Sequence, residues 1–169
     1  LAVCEADVLG HAVLEEGSKV YDAVVAHFGR EILTPAGGID RGILGRRVFA
    51  SAAERAVLNR LVHPAVADAW TAWLKENKGQ PAVVVVPLLF EAGYGAGWDA
   101  VVCVSASRSV RLARLRERGM TETDAEARID AQWPEARKMA LADFVLWNDA
   151  TQEGLETQVA RVVDRIRRG

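Results

Sequence analysis

The sequence predicts an α/β fold built on a parallel sheet, and three observations carry that prediction. The stretch Ala82–Gly93, AVVVVPLLFEAG, holds four consecutive valines with no polar alternation, which fits a strand covered on both faces by helices. Two further short apolar runs, Asp99–Val104 and Phe144–Trp147, are each followed by a segment of helical periodicity. Strands that alternate with helices in this way build parallel sheets rather than hairpins.

Composition is consistent with one such domain carrying helical insertions. The chain has 169 residues, 50% hydrophobic and 26% charged, enough to bury a sizeable core and far from a disordered composition. A net charge of −2 offers no broad field to nucleic acid or an anionic membrane, so neither is an expected partner. No apolar run reaches bilayer-spanning length and no signal peptide opens the chain, which makes the cytoplasm the expected compartment. Cys4 and Cys103 have no CxxC partner and read as two buried, reduced thiols. The chain opens on Leu1, not Met, already inside what reads as a strand, and a front segment ahead of it is expected.

Taken in order, Leu1–Cys4 is the end of a short strand, and Glu5-Ala6-Asp7 lies at its carboxyl edge. Carboxylates there can hold Mg²⁺ through water or accept a proton from a hydroxyl. Asp7 can equally cap a helix over Val8–Glu15. Gly17-Ser18 opens a second helix, Lys19–Phe28, with Val20, Val24, Val25 and Phe28 on one face. Pro35–Gly38 is a turn, and Asp40-Arg41 leads into a helix carrying Ile43, Leu44 and Val48. Ser51-Ala-Ala-Glu54 has the form of a capping box for a helical stretch with Val57, Leu58, Leu61 and Val62, continued past Pro64 by Val66, Trp70 and Trp73. Residues 8–78 are thus a mostly helical insertion. His63, just before Pro64, is either a satisfied imidazole at a kink or a ligand-reaching group.

Pro87 brings no N–H to a ladder and ends the valine strand. Leu88–Gly93 then sits at a carboxyl edge, where open α/β sheets bind ligands. After Asp99–Val104, a helix from Arg108 places Arg111, Arg114 and Arg118 on one face. That face is either solvated or a phosphate clamp, since Arg suits bidentate phosphate contacts. A helix capped at Thr121–Asp124 follows, then Pro134 opens another over Glu135–Ala142 with Arg137 and Lys138 in its middle. The last helix carries Leu155, Val159, Val162, Val163 and Ile166 as a core stripe.

The order of Glu5-Ala6-Asp7, Gly17-Ser18, Phe28-Gly29, Ile39-Asp40-Arg41, Val48-Phe49, Leu61-Val62-His63-Pro64, Val86-Pro87-Leu88-Leu89-Phe90-Glu91, Ala131-Gln132 and Ala142-Asp143 resembles the dephospho-coenzyme A kinase family from Val3 to about Arg165. The resemblance implies a P-loop NTPase-like three-layer sandwich with a parallel sheet, a helical substrate-binding insertion and a helical lid. It implies ATP and Mg²⁺, and phosphorylation of the ribose 3′-hydroxyl of dephospho-coenzyme A, the last step of coenzyme A synthesis. It divides the chain into a nucleotide-binding core (1–7, 79–107 and 143–169), a coenzyme A domain (8–78) and a lid (108–142). It turns the reading of Asp7 from a cap into a candidate general base. It also assigns His63, Phe90 and Glu91 to the substrate side, Arg114, Arg118, Arg137 and Lys138 to the lid, and Asn148 to the adenine side.

The sequence departs from the family in one large respect: it contains no GxxxxGK[ST]. Gly93–Gly97 is glycine-rich but lacks the Lys-Ser/Thr pair and follows the wrong strand. The family's loop precedes the strand ending at Asp7, so the expectation is a truncated chain that is inactive as it stands. Smaller departures are Glu5 for the usual Asp, His11 for a frequent Arg, Glu135 at an often basic lid position, and Trp147–Ala150 for Asp-Asn-x-Gly. Two other classes compete: a different nucleoside or nucleotide kinase on the same scaffold, and a non-catalytic binding module.

Overall fold

Short strands alternate with helices, and side-chain caps lie where small polar residues precede apolar periodicity. The computed structural model describes residues 1–168. Strand β1 (Ala2–Glu5) runs straight into α1 (Ala6–Ala12), followed by α2 (Lys19–Phe28), a 3₁₀ turn (Arg30–Ile32), α3 (Arg41–Ala50), α4 (Ala52–Glu76) and β2 (Ala82–Val85). Then come β3 (Val102–Ser105), α5 (Arg108–Glu117), α6 (Glu122–Asp130), α7 (Glu135–Leu141), β4 (Phe144–Trp147) and α8 (Gln152–Arg168). The chain divides into two compact units, residues 1–87 and 88–169.

In the first unit, β1 and β2 pair in parallel, Ala2 opposite Ala82 and Glu5 opposite Val85. The helices form their own core around Val24, Phe28, Ile32 and Leu44. Side-chain oxygens of Ser18, Asp40 and Ser51 accept from the backbone N–H of Tyr21, Ile43 and Glu54, capping α2, α3 and α4 and satisfying otherwise orphaned donors. Glu54 does not complete a capping box. Its carboxylate turns to His27 at 3.0 Å and Arg47 at 3.8 Å. Arg47 also donates to the Phe28 carbonyl at 2.7 Å, so one guanidinium joins the ends of α2 and α3 to the start of α4. Gly29 closes α2 with φ of +83°, a left-handed conformation in which a Cβ would also meet the Glu31 carboxylate. Helix α4 is unbroken through Pro64.

In the second unit, β3 and β4 pair in parallel, Val102 opposite Phe144 and Ser105 opposite Trp147. Two long-range side-chain bonds reinforce the pair: Asp143 Oδ2 accepts from Val101 N at 2.7 Å and Asp149 Oδ1 from Ser107 N at 2.6 Å. Arg108 and Asp130 tie α5 to α6 at 2.6 Å.

Four sequence expectations need correction, one of them the core stripe of α8, where Val159 and Ile166 are 41% and 42% exposed. The first helix begins at Ala6, not Val8, and ends at Ala12; the strand turns directly into it and buries Ala6. The valine strand is not covered on both faces: Val83 and Val85 are 41% and 48% exposed. Strand β2 has β1 as its ladder partner, and within the first unit cover is confined to the face holding buried Cys4. Cys103 is half-buried rather than buried, while Cys4 is buried and both are free thiols.

Candidate active site

The first unit carries Asp7 and His63. Asp7 lies in the first turn of α1, two residues past the cap position, which Glu5 occupies without a side-chain cap bond. It is exposed, and no hydrogen bond or ion pair engages it among the described residues. The capping role is therefore not what the fold asks of it. Four residues on, on the same face of α1, His11 lines a cavity of about 220 Å³ together with Leu14, Ile39 and Arg41. His11 and Arg41 had drawn no site role from the sequence. The available signal was Arg41 following Asp40 at the start of a helix, a spacing that also fits plain capping.

His63 sits mid-α4, one turn before buried Val66. Gly10 of α1 approaches Val66 closely, since a Cβ there would lie 3.9 Å from Val66 Cγ2. The spacing 63, 66, 70 thus turns the His63 side of α4 towards the element that carries Asp7. Burial holds the His63 imidazole below its ordinary value of 6.5. The unfolded chain then binds the extra proton more readily than the folded one, so stability is present above that value and is lost as pH falls through it. Urea midpoints measured from about pH 7.5 to about pH 5 are expected to fall in the wild type and to flatten in His63→Gln. Parallel curves for the two proteins would remove His63 as the source.

The second unit holds the remainder. Leu88–Tyr94 winds into consecutive tight turns, with Ala92 N–H bonded to the Leu88 carbonyl and Tyr94 N–H to that of Leu89. Phe90 lies so close to Gly95 that a Cβ there would meet its ring at 2.7 Å. The turns present Glu91 inward. Its Oε1 accepts from Trp133 N at 3.1 Å and stands 3.9 Å from Lys138 Nζ. Lys138 also lies 3.9 Å from Glu135 Oε2 and donates to Gln132 Oε1 at 3.2 Å. Glu135 in turn pairs with Arg111 Nη1 at 2.9 Å. Two carboxylates and two cations thus alternate in a poorly hydrated cluster. Cys103 lies beside it: burial, then the charges of Glu135 and Glu91, push its thiol up.

The four cations expected in a lid therefore differ in what they touch. Lys138 is 12% exposed and held by carboxylates. Arg114 donates to Asn148 Oδ1 at 3.2 Å, joining a lid residue to the adenine-side candidate. Arg137 is exposed and stacks 3.3 Å above the Trp133 ring. Arg118 caps the end of α5 and is exposed. The shared face expected for Arg111, Arg114 and Arg118 is divided among three environments.

The family model for CoaE, dephospho-CoA kinase, matches residues 1–154. The chain belongs to the dephospho-CoA kinase family. It is 41% identical to the dephospho-CoA kinase of Geobacillus kaustophilus (strain HTA426), over 96% of this chain and 83% of that one. It is 44% identical to that of Streptomyces avermitilis over 94% and 78%, and 38% identical to that of Arabidopsis thaliana over 99% and 74%. Among solved structures, TT1252 from Thermus thermophilus superposes with a TM-score of 0.79 at 27% identity, over 97% of this chain and 84% of that one. The dephospho-CoA kinase of Campylobacter jejuni shares the fold, with a TM-score of 0.68 at 23% identity over 98% and 85%. Membership makes this chain part of a phosphotransferase family of coenzyme A biosynthesis, with the P-loop kinase fold and ATP as a substrate. No helix among the described residues is long and apolar enough to cross a membrane.

Proposed function

We propose that the protein transfers the γ-phosphoryl group of ATP to the ribose 3′-hydroxyl of dephospho-coenzyme A, in the cytoplasm, with Asp7 as general base. The observation that carries this reading is the free, exposed Asp7 carboxylate at the carboxyl end of β1, with a cavity opening along the same face of α1. A base must lie within reach of the hydroxyl it deprotonates, and an exposed carboxylate with no other partner among the described residues is free to do so. The cavity sets apolar Leu14 and Ile39 between the charges of Arg41 and those of Glu15 and Glu16, so it offers an acceptor both apolar and polar contacts.

The division of labour follows the sequence expectation: residues 1–7, 79–107 and 143–169 form the nucleotide-binding core, 8–78 the acceptor domain and 108–142 the lid. His63, Phe90 and Glu91 shape the acceptor side, and Asn148 serves the adenine side, steadied by Arg114. Mg²⁺ fits this donor set. Among the described residues no three His, Cys, Asp or Glu side chains gather into a metal cage, but a single exposed carboxylate suits an ion that keeps most of its waters. When bound with ATP, it neutralises charge on the β- and γ-phosphates. Product analysis separates this reading from another nucleoside kinase: the new phosphate is expected on the 3′-position of dephospho-coenzyme A. Equal or faster transfer to a free nucleoside would replace it.

Arg114, Arg118, Arg137 and Lys138 supply positive charge to the transferring phosphoryl group. Cations on a lid engage the phosphates on closure, so they act on the transition state more than on ground-state binding. Neutralising Arg114 or Lys138 in the complete enzyme is expected to lower kcat more than it weakens ATP binding. Surface charges contribute little, so a solvated role predicts changes under about twofold. Wild-type kcat in both variants, with melting checked because Lys138 is held by two carboxylates, would retire the clamp.

A further inference from the structure

Glu135 pairs with two cations in the second unit, and the proposed lid chemistry gives it no role. Glu135 and Lys138 stand three apart on α7 and so share a face, whereas Arg137, two residues after Glu135, projects from nearly the opposite one. The inward face is fixed twice. Glu135 reaches across to Arg111 of α5 at 2.9 Å and to Lys138 at 3.9 Å. Glu91 holds Lys138 and also the backbone N–H of Trp133, the ring on which Arg137 lies. Holding positions 135 and 138 inward therefore sets the direction in which Arg137 leaves the helix.

The charges make Glu135 the member that cannot be spared. The cluster has two carboxylates and two cations, and Lys138 has a second partner in Glu91. Arg111 has Glu135, and its Nε is buried without an acceptor. Removing the Glu135 charge strips Arg111 of its 2.9 Å ion-pair partner and leaves it the longer-range attraction of Asp130, a loss that costs more than the pair contributes. Lys138 would then keep Glu91 as its carboxylate partner, loading the group that anchors Trp133.

We propose that Glu135 is a positioning residue for phosphoryl transfer: by pairing Arg111 and Lys138 it fixes α7 so that Arg137 is presented outward on Trp133. The inference rests on the reading that Arg137 serves the phosphates. It is tested in the complete enzyme by a cycle of Glu135→Gln, Arg137→Met and the double variant, with kcat, the KM for ATP and melting measured for each. Glu135→Gln is expected to lower kcat about tenfold with the KM for ATP within about twofold, and to cost less than about twofold further once Arg137 is gone. An equal loss in both backgrounds, or an unchanged kcat, overturns the proposal. Wild-type kcat for Arg137→Met alone overturns the lid reading instead, and this inference with it. Should Glu135→Gln fold poorly, Arg111→Met with Glu135→Gln removes both charges of the pair. Restored melting with kcat still low supports positioning, and recovery of both makes the role purely structural and overturns it.

Discussion

The 169-residue chain is expected to show no measurable transfer of phosphate from ATP to dephospho-coenzyme A, whereas a protein in which a strand and GxxxxGK[ST] precede Leu1 is expected to turn over. Phosphoryl transfer asks little covalent chemistry of a protein. It asks for a nest of backbone N–H groups and a lysine around the β- and γ-phosphates, and these 169 residues contain no such motif. The one glycine-rich alternative, Gly93–Gly97, is committed elsewhere. Gly93 and Gly97 take left-handed φ values of +82° and +88° to shape turns, and Gly95 makes room for the Phe90 ring. A single cation at such a centre is worth about 10³–10⁵ in rate, so losing the whole cradle should take turnover below detection. A radiolabel-transfer assay on both proteins decides it. Robust turnover by the 169-residue chain would mean that another group holds the phosphates.

What the sequence made legible was local. The caps at Ser51 and Thr121 depend on a side chain and a donor three residues away, so a short window contains the whole interaction. Pro87 ending the valine strand is legible for the same reason. What failed depends on partners far along the chain. The valines of β2 are apolar on both faces, yet Val83 and Val85 are exposed, because composition states what a strand tolerates and not which helices reach it. Arg111 shares a helix face with Arg114 and Arg118 in the sequence, but Glu135 claims the first and Asn148 the second. Glu91 was legible as a motif residue at a strand edge. Its grip on Trp133 and Lys138 was not, since that contact spans 42 positions. Family resemblance proposes a lid as a group, and geometry separates its mostly covered cation, Lys138, from exposed Arg118 and Arg137.

Asp7→Asn in the complete enzyme is expected to lower kcat by about 10²–10⁴-fold while leaving ATP affinity nearly unchanged, the range general-base removal typically produces. The substitution keeps shape and removes basicity alone. Because Glu5 and not Asp7 holds the cap position of α1, little stability should go with it. An acid in a first helical turn contributes only about 0.3–1 kcal/mol. Loss of a true cap would cost about 0.5–2 kcal/mol and leave chemistry intact, so the two roles separate cleanly. Single-turnover rates, ATP binding at equilibrium and thermal melts on the same preparations give the three numbers needed. Asp7→Glu adds a second reading: it retains a carboxylate but moves it by one methylene, and a base that depends on reach should recover only part of the rate. Normal turnover in Asp7→Asn with a lowered melting temperature would return Asp7 to the helix and leave the proton to another acceptor.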